Sequence, residues 1–439
     1  MKIHILGIAG TFMSAIAILA EKKGHEVTGS DTSCYDPMKS ILEKKNIKVI
    51  NGHKIKDVKN KDLIIIGNIM SRGNSVIEYI LKNNINYTSG PQWLYDNILK
   101  NKIVIAVSGT HGKTTTTSMI VHILRENKLN PSYLIGGSPK GKLKSVMLNK
   151  SDYFVIEADE YDTAFFDKRS KFIHYKPNIL VINNIEYDHA DIFNNIDEII
   201  KSFHHMVRLL PSNGAAIINN SDKNIKKLLD MGFWSRLVTF NNKNKPANFN
   251  LLKKTDYMLK HTGKNYELPN NLIGEHNQLN ATAAIAACKQ LSIPISSQIK
   301  SLSTFQGVAK RTDFIGEING IKIFDDFAHH PTAIESSIKA IKERFRNKKI
   351  LTVFVPGSNS MLLGTHNHRL ISSLNKSNKV LIISKMSQFK KLKVNNIKIS
   401  VIESEAHIRH YLSRQKGIDI ILILSNKNTT NIINIIKNG

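Results

Sequence analysis

Residues 103–118, IVIAVSGTHGKTTTTS, join an apolar β-branched run to a glycine turn that ends in a lysine and a threonine. The run favours a buried strand, and the patterning after the turn favours an amphipathic helix. Such a turn directs backbone N–H groups and the positive end of a helix dipole at one point. Lys113 can then bind the β- and γ-phosphates of a nucleotide, and the hydroxyl of Thr114 can ligate Mg²⁺. The segment predicts a nucleoside triphosphate site; an ordinary strand-to-helix turn is the alternative, because Val107 stands where the longer motif has a glycine.

Acidic groups and a histidine close two further apolar runs in the central region. The first run ends in EADE at 157–160, and the second continues into EYDHAD at 186–191. The carboxyl ends of parallel strands meet at one edge of a sheet, so we expect these groups beside the triphosphate turn. They are candidate ligands for Mg²⁺, with helix capping or surface charge as the alternative. The candidates are Glu157, Asp159, Glu160, Asp188, His189 and Asp191.

Two later segments carry polar side chains suited to a nucleotide. Asn277 and Asn280 open an alanine-rich helical stretch and can hydrogen-bond an adenine edge. Arg311 offers a planar donor to a γ-phosphate. The segment DDFAHHPTA at 325–333 adds Asp326, His329 and His330. The paired histidines suggest zinc, but no cysteine or third ligand lies at the usual spacing, and the sequence argues against zinc.

A second glycine turn, Gly7 to Gly10, follows the first apolar run, and Asp31 ends the next one. Dinucleotide-binding folds place a ribose-binding acid at that position. The turn lacks the middle glycine of G-x-G-x-x-G, so it predicts a diphosphate site without requiring NAD. A turn used for packing alone is one alternative. A nicotinamide-dependent dehydrogenase is another, but it leaves the triphosphate turn unexplained.

Composition limits the class of protein. The 439 residues carry a formal charge of +27, but lysines are spread along the chain with a heavy use of Asn and Ile, so we place them on solvated faces and expect no nucleic acid partner. Cys34 and Cys288 lie far apart, which favours a reducing cytoplasm over a disulfide framework. Ile3 to Ala20 lacks full charges, but Gly7 and Gly10 interrupt it, so we expect a β-turn-α unit and no membrane segment.

The length and the order of apolar runs predict an α/β protein of three domains. The first, residues 1–100, has a Rossmann-like pattern. The second, residues 101–308, has the pattern of a P-loop ATPase-type parallel sheet. The third, residues 309–439, carries four further strand-like runs of a Rossmann-like α/β domain.

Taken together, the motifs resemble the Mur ligases, the ATP-dependent amino-acid and peptide ligases of peptidoglycan synthesis. GTHGKTTT, EADE, DHAD, GEHNQLN, KR and DDFAHHPT occur in that order and span nearly the whole chain. The DDFAHHP form is similar to two members that act on UDP-N-acetylmuramate, one adding L-alanine and the other a recycled tripeptide, L-alanyl-γ-D-glutamyl-meso-diaminopimelate. Local forms similar to the tripeptide-adding member are GIAGTFM at 7–13, GNIMSRGN at 67–74, SGPQWL at 89–94 and FFDKRSKFIHY at 165–175.

The resemblance implies a role for each domain and for the matching residues. The first domain would bind the UDP sugar, the second ATP, and the third the incoming amine while closing over ATP. Catalytic roles fall on Lys113, Arg311 and His189, and metal ligation on Thr114, Glu157 and His189. ATP binding falls on Gly109, Thr110, His111, Gly112, Lys113, Thr114, Thr115, Asn277, Asn280, Arg311, Asp326 and His330. UDP-sugar binding falls on Gly7, Gly10, Thr11, Phe12, Met13, Ser14, Asp31, Ser71, Arg72 and Asn74.

The implied reaction uses ATP and Mg²⁺ to activate the muramate carboxylate as an acyl phosphate, which the L-alanine amine of the tripeptide then attacks. The alternatives are the L-alanine-adding member and a nucleotide-binding relic. The relic is suggested by Gly357, which stands where the tripeptide-adding members typically have arginine, and by SNKNTT at 425–430, which lacks their glycine-rich turn.

Overall fold

The structure, a computed structural model, describes residues 1–34, 38–242, 245–364, 367–390 and 398–438. It contains three successive α/β units, each built on a largely parallel sheet. The predicted fold class is confirmed. Residue 439, the end of the predicted third domain, lies outside the described residues.

The first unit is a five-stranded parallel sheet in the order β3-β2-β1-β4-β5. Its central strands are continuous apolar runs because helices cover both faces. The strands are β1 Lys2–Leu6, β2 Glu26–Asp31, β3 Lys48–Asn51, β4 Leu63–Ile66 and β5 Tyr87–Ser89. The helices are α1 Thr11–Lys22, α2 Met38–Glu43, α3 Ile55–Val58, α4 Ser75–Lys82 and α5 Gly90–Asn97, followed by a 3₁₀ turn, Leu99–Asn101.

The central unit contains a ten-stranded sheet in the order β17-β16-β15-β14-β13-β12-β6-β9-β7-β8. Its strands are β6 Ile103–Ser108, β7 Ser132–Leu134, β8 Val146–Met147, β9 Tyr153–Glu157, β12 Ile179–Ile182, β13 Ala215–Asn219, β14 Arg236–Asn241, β15 Phe249–Lys253, β16 Tyr257–His261 and β17 Lys264–Glu267. A separate hairpin comprises β10 Asp162–Ala164 and β11 Asp167–Ser170. The helices are α6 Lys113–Glu126, α7 Ile196–Val207, α8 Lys223–Asp230, α9 Glu275–Lys289 and α10 Ile295–Ser303, with a 3₁₀ turn, Lys171–His174.

The parallel core of this sheet places the triphosphate turn at its centre. Strand β6 pairs in parallel with β12 on one side and β9 on the other, so the turn after β6 lies between the acidic segments that follow its neighbours. The edges differ from the sequence expectation, because β8, β16 and β17 pair antiparallel.

The third unit is a six-stranded sheet in the order β18-β19-β23-β20-β21-β22, parallel except for β18. The strands are β18 Asp313–Ile318, β19 Ile321–Asp326, β20 Ile350–Phe354, β21 Lys379–Ile383, β22 Lys398–Ile402 and β23 Ile420–Leu424. The helices are α11 Pro331–Arg344, α12 Asn359–Leu362, α13 Asn367–Leu374, α14 Ser387–Lys390, α15 Ile408–Ser413 and α16 Thr430–Lys437, with a 3₁₀ turn, Glu405–His407.

The uncharged N-terminal stretch forms β1, a glycine turn and the 12-residue helix α1. In the described ranges no helix has both the length and the apolar character that a bilayer crossing requires.

Candidate active site

The turn between β6 and α6 can be made only with glycine at two positions. Gly109 has φ +133° and Gly112 has φ +81°, a region that side-chain-bearing residues rarely adopt. A Cβ on Gly109 would lie 3.0 Å from the backbone oxygen of Asn184, and one on Gly112 would lie 2.9 Å from Asn183 Nδ2. The amide of His111 donates to Asn184 Oδ1 at 2.8 Å, which fixes the turn against the loop after β12.

A cavity of about 860 Å³ opens over this turn, between the central and third units. That volume suits a nucleotide-sized ligand. Most of the residues predicted to bind ATP or metal line it: Thr110, His111, Gly112, Lys113, Thr114, Thr115, Glu157, His189, Asn277, Asn280, Arg311 and Asp326. Gly109 forms the base of the turn, and the His330 ring lies behind the wall with its centroid 4.8 Å from that of His111.

Lys113 makes a buried ion pair that the sequence did not assign. Its Nζ lies 2.8 Å from Glu160 Oε2, and Glu160 Oε1 lies 3.2 Å from His189 Nε2. Burial alone would raise the pKa of Glu160, but the charges of Lys113 and His189 hold it well below its usual range. Burial would lower the pKa values of Lys113 and His189, and contact with Glu160 raises both. The EADE motif contains Glu160, but only the fold shows which of its carboxylates meets the lysine.

Glu157 accepts hydrogen bonds from two groups beside the turn. Thr114 Oγ1 donates to its Oε1 at 3.0 Å, and the Gly136 amide donates to its Oε2 at 2.8 Å. Burial raises the pKa of Glu157, although the charge of Lys113 acts in the opposite direction. A half-buried carboxylate beside a threonine hydroxyl at a triphosphate turn is a donor set that fits a hard divalent cation.

The predicted adenine and phosphate contacts project from three elements. Asn277 and Asn280 lie on the first turns of α9, with Asn277 Nδ2 donating to the Ile273 carbonyl at 2.8 Å. The Arg311 guanidinium lies 5.0 Å from the centroid of the Phe327 ring, and within the described chain it makes no ion pair. Its charge is therefore available to the cavity.

Asp326, predicted to bind ribose, is already engaged in the third unit. Its Oδ2 accepts from the amide and the hydroxyl of Thr312 at 2.6 and 3.0 Å, and its Oδ1 accepts from the Ala328 amide at 2.8 Å. The carboxylate therefore fixes the segment that carries Arg311, and a ribose hydroxyl would have to share it.

Glu186, which the sequence did not single out, connects the central and third units. Its Oε2 accepts from Thr332 Oγ1 at 2.6 Å and lies 3.8 Å from His330 Nδ1. One ligand atom each from His111, Glu186 and His330 lie within 4.8 Å of one another. The cluster contains only His330 of the paired histidines, and its other two groups come from distant segments that sequence spacing does not bring together.

Helix α11 forms one wall of the cavity and is attached at both ends. Near its N-terminus Thr332 bonds Glu186. Near its C-terminus Glu343 accepts from Lys253 Nζ at 2.8 Å and from the Tyr257 hydroxyl at 3.1 Å, both on the edge strands of the central sheet. The antiparallel edge that the sequence did not predict thus supports the wall of the site.

The first glycine turn lies at the carboxyl edge of the first sheet. Gly7 has φ +77°, and a Cβ there would lie 2.7 Å from Ile69 Cγ2, so the loop after β4 touches the turn. Asp31 Oδ2 accepts from the Ala9 amide at 2.9 Å, which closes the turn with the predicted ribose-binding acid. The residues predicted to bind the UDP sugar on this turn and on α1 are Gly7, Gly10, Thr11, Phe12, Met13 and Ser14.

The remaining predicted sugar-nucleotide residues lie in the loop after β4. Arg72 pairs with Glu78 at 2.9 Å on the surface, and Asn74 caps α4 by accepting from the Val76 amide at 3.0 Å. Ser71 is exposed beside them. None of the first-unit candidates in the described chain lines the triphosphate cavity. The residues predicted to bind the sugar nucleotide and those predicted to bind ATP therefore lie in two separate regions of the structure.

Three domain profiles match the chain in the order of its three sheets. They are the Mur ligase family catalytic domain over residues 2–101, the Mur ligase middle domain over 107–288 and the Mur ligase glutamate ligase domain over 310–433. A triphosphate turn in the middle one of three α/β units is the arrangement of a nucleotide-dependent ligase, and the chain belongs to the Mur ligase family. The resemblance drawn from the motifs is confirmed.

Individual proteins similar to this chain give a finer comparison within the family. The chain is 42% identical over 385 residues, covering 87% of it and 85% of the relative, to the UDP-N-acetylmuramate–L-alanyl-γ-D-glutamyl-meso-2,6-diaminoheptandioate ligase of Haemophilus influenzae. It is 44% identical over 390 residues, with the same coverage, to the Escherichia coli protein of that name. A murein peptide ligase structure from Psychrobacter arcticus aligns with a TM-score of 0.77 and 34% identity, covering 100% of this chain and 99% of that one.

Proposed function

We propose that this chain is an ATP-dependent, ADP-forming ligase that joins the tripeptide L-alanyl-γ-D-glutamyl-meso-diaminopimelate to UDP-N-acetylmuramate in peptidoglycan recycling. One observation carries the proposal. Lys113 and Thr114 of the triphosphate turn contact the carboxylates of buried Glu160 and half-buried Glu157, in a chain similar over most of its length to ligases named for that reaction.

The residues that line the cavity support a role in ATP binding. The turn from Gly109 to Thr115 offers backbone N–H groups and a lysine to the phosphates. Asn277 and Asn280 offer amides to adenine, Asp326 offers a carboxylate to the ribose, and Arg311 offers an unpaired cation to the γ-phosphate. His330 would act from behind the wall through its contact with His111.

Mg²⁺ fits the oxygen donors beside the turn. Thr114 and Glu157 would hold it, with His189 as a third candidate ligand on the same cavity wall. Ligation needs a neutral imidazole, which could still donate its Nε2–H to Glu160 and leave Nδ1 for the metal. When bound, Mg²⁺ supplies neutralisation of the charge on the phosphoryl group being transferred.

The residues of the chain then act by position and charge. The muramate carboxylate oxygen attacks the γ-phosphorus, ADP departs, and the tripeptide amine displaces phosphate from the acyl phosphate to form the amide. Lys113 and Arg311 face the charge that develops on the transferred group. Helix α11, fixed at both ends, excludes water from the reacting groups.

The first unit would bind UDP through the turn at Gly7–Ser14, Asp31 and the loop at 71–74, and the third unit would receive the tripeptide. In the third unit, a Cβ on Gly357 would lie 2.8 Å from Lys427 Cγ, so a lysine stem covers the place where the resemblance implies an arginine. Within the described residues Cys34 and Cys288 form no disulfide, which supports a cytoplasmic location.

The test is phosphate release from ATP in the presence of UDP-N-acetylmuramate, with either the tripeptide or L-alanine added. We expect release that depends on the tripeptide. Release with L-alanine would instead assign the reaction named for the Clostridium acetobutylicum relative, which is 35% identical over 82% of this chain. No release with either amine would overturn the proposal.

A variant of the turn ties that activity to the cavity. Lys113→Ala should lower turnover on the order of 10²–10³-fold, the usual loss for one electrostatic donor, while leaving sugar-nucleotide binding intact. Lys100→Ala, at an exposed lysine outside the cavity, is the control. An unchanged rate in Lys113→Ala would show that the turn does not bind ATP.

A further inference from the structure

One lysine stands between the first glycine turn and the triphosphate cavity. Lys171 Nζ lies 5.6 Å from the ring centroid of Phe12, on the first turn of α1, and 5.5 Å from the ring centroid of Tyr161, which follows Glu160. Cation–π contacts of this length weakly stabilise an ammonium group and leave its full charge in place. Lys171 is therefore a cation held between aromatic rings of two different units.

The backbone keeps that ammonium where it is. The Lys171 amide donates to the Tyr161 carbonyl at 2.9 Å, which ties the 3₁₀ turn at 171–174 to the segment after β9. In the same 3₁₀ turn, His174 Nδ1 forms a hydrogen bond with Gln92 Oε1 of the first unit at 2.9 Å. Lys171 thus lies at a fixed contact between the units and not on a free loop.

Lys171 differs from the two basic residues of the preceding hairpin in having no counterion within the described chain. Lys168 pairs with Asp162 at 2.7 Å, and Arg169 pairs with Asp167 at 2.7 Å. Within the described chain Lys171 has no carboxylate partner. A compact ammonium without an internal counterion, on a path between two anion-binding turns, suits an oxyanion supplied from outside.

Tyr161 itself lines the triphosphate cavity. Its ring centroid lies 4.4 Å from that of His189, and His189 shares Glu160 with Lys113. Because Lys171 contacts both Phe12 beside the first glycine turn and Tyr161 on the cavity wall, it is in place to meet a substrate that extends from that turn to Lys113.

We propose that Lys171 is a substrate-binding residue that holds an oxyanion of the sugar nucleotide as it extends from the first unit to the triphosphate cavity. This inference rests on the proposed function. Two groups of UDP-N-acetylmuramate have the required chemistry, the diphosphate and the lactyl carboxylate.

The experiment is isothermal titration of Lys171→Met and Lys171→Arg with UDP-N-acetylmuramate and with UDP-N-acetylglucosamine, which has the diphosphate but lacks the lactyl carboxylate. Methionine keeps the stem and removes the charge, so we expect Kd to rise at least tenfold, and arginine should restore most of the affinity. Lys168→Met is the matched control, because Lys168 is 69% exposed on the same hairpin and already paired.

The ligands distinguish the two sources of the oxyanion. Loss of affinity for both in Lys171→Met supports a diphosphate contact, and loss for UDP-N-acetylmuramate alone supports a carboxylate contact. Unchanged affinity for both would overturn the inference, and so would an equal loss of ATP affinity, which would indicate a general structural role. If the unaltered protein binds neither sugar nucleotide, the proposed function itself fails, a result distinct from a failure confined to the variant.

Discussion

Lys113 and Glu160 form a buried ion pair, with Nζ 2.8 Å from Oε2, at the base of the triphosphate cavity. The lysine that the motif assigns to phosphate is thus neutralised by a carboxylate of its own chain, and the side chain of Glu160 is only 3% exposed. A phosphate that binds Lys113 would have to share the ammonium with Glu160, so we expect this carboxylate to weaken nucleotide binding.

Replacing Glu160 should show how strongly it competes with a nucleotide phosphate for Lys113. Glu160→Gln keeps the shape but removes the nearer counterion of Lys113 and leaves only Asp159, at 3.9 Å, so we expect a loss of up to about 3 kcal/mol of folding stability. We expect a lower melting temperature and a larger stabilising shift on addition of Mg²⁺–ATP than in the unaltered protein. Glu126→Gln, at the exposed end of α6, should show neither effect. Identical nucleotide-induced shifts in all three proteins would contradict this account.

The steric effect of a side chain at Gly112 can be measured separately from the strain of its left-handed backbone. Gly112 and Gly263 have nearly equal φ values, +81° and +78°, but a Cβ on Gly112 meets Asn183 and Asn280 while one on Gly263 meets nothing within 4 Å. Alanine at either position costs about 1 kcal/mol for the left-handed backbone. Only Gly112→Ala should also lose ATP affinity, by roughly 100-fold by the steric argument, in a titration with Gly263→Ala as control. Equal affinities would show that the turn relaxes around a side chain.

A buried histidine in the first sheet should make stability depend on pH. Burial lowers the pKa of His4 to about 4, and its ring nitrogens lie 2.9 Å from Thr28 Oγ1 and 3.1 Å from Ser30 Oγ. The unfolded chain takes up this proton near pH 6.5 and the folded chain only near pH 4, so stability falls as the pH drops through that window. The loss amounts to about 3 kcal/mol.

Urea unfolding at pH 7, 6 and 5 measures this effect. His4→Gln should flatten the decline, whereas His407→Gln, at an exposed residue, should leave it unchanged. A decline of the same steepness in His4→Gln would assign the pH dependence to other groups.

The contact between the central and third units should matter for turnover. Thr332 Oγ1 donates to Glu186 at 2.6 Å and accepts from Arg369 at 3.0 Å. Thr332→Val removes both bonds at nearly constant volume, and a lost bond to a charged group costs about 1.5–3 kcal/mol. We expect kcat/KM for ATP to fall about tenfold or more, with sugar-nucleotide affinity unchanged. Thr430→Val, at an exposed position on α16, is the comparison, and equal kinetics in the two variants would remove Thr332 from the closing contact.

Features encoded within one short segment could be predicted from the sequence. The turns after β1 and β6 were recognised because an apolar run, glycines and a helix start are contiguous, and the parallel order of the sheets followed from continuous apolar strands. The family followed from six motifs in order. The domain limits and the roles of single residues stay predictions, which the experiments above test.

Features that depend on packing could not be predicted. Strand β9 ends at Glu157, so the alternation of side chains no longer indicates which of Asp159 and Glu160 turns inward. The meeting of His111, Glu186 and His330 requires all three of their segments to be placed in space. Strands β15 to β17 contain many polar residues because they lie at a sheet edge, and their pattern therefore lacks the apolar continuity of the core strands.

Helix α11 has a kinetic consequence. Because its first turn is bonded to Glu186 and its last turn to Lys253 and Tyr257, it cannot swing aside about either end while the other stays attached. Movement of this wall away from the cavity at either end requires the attachment at that end to break. The freedom of this wall to move is thereby coupled to the antiparallel strands of the central sheet.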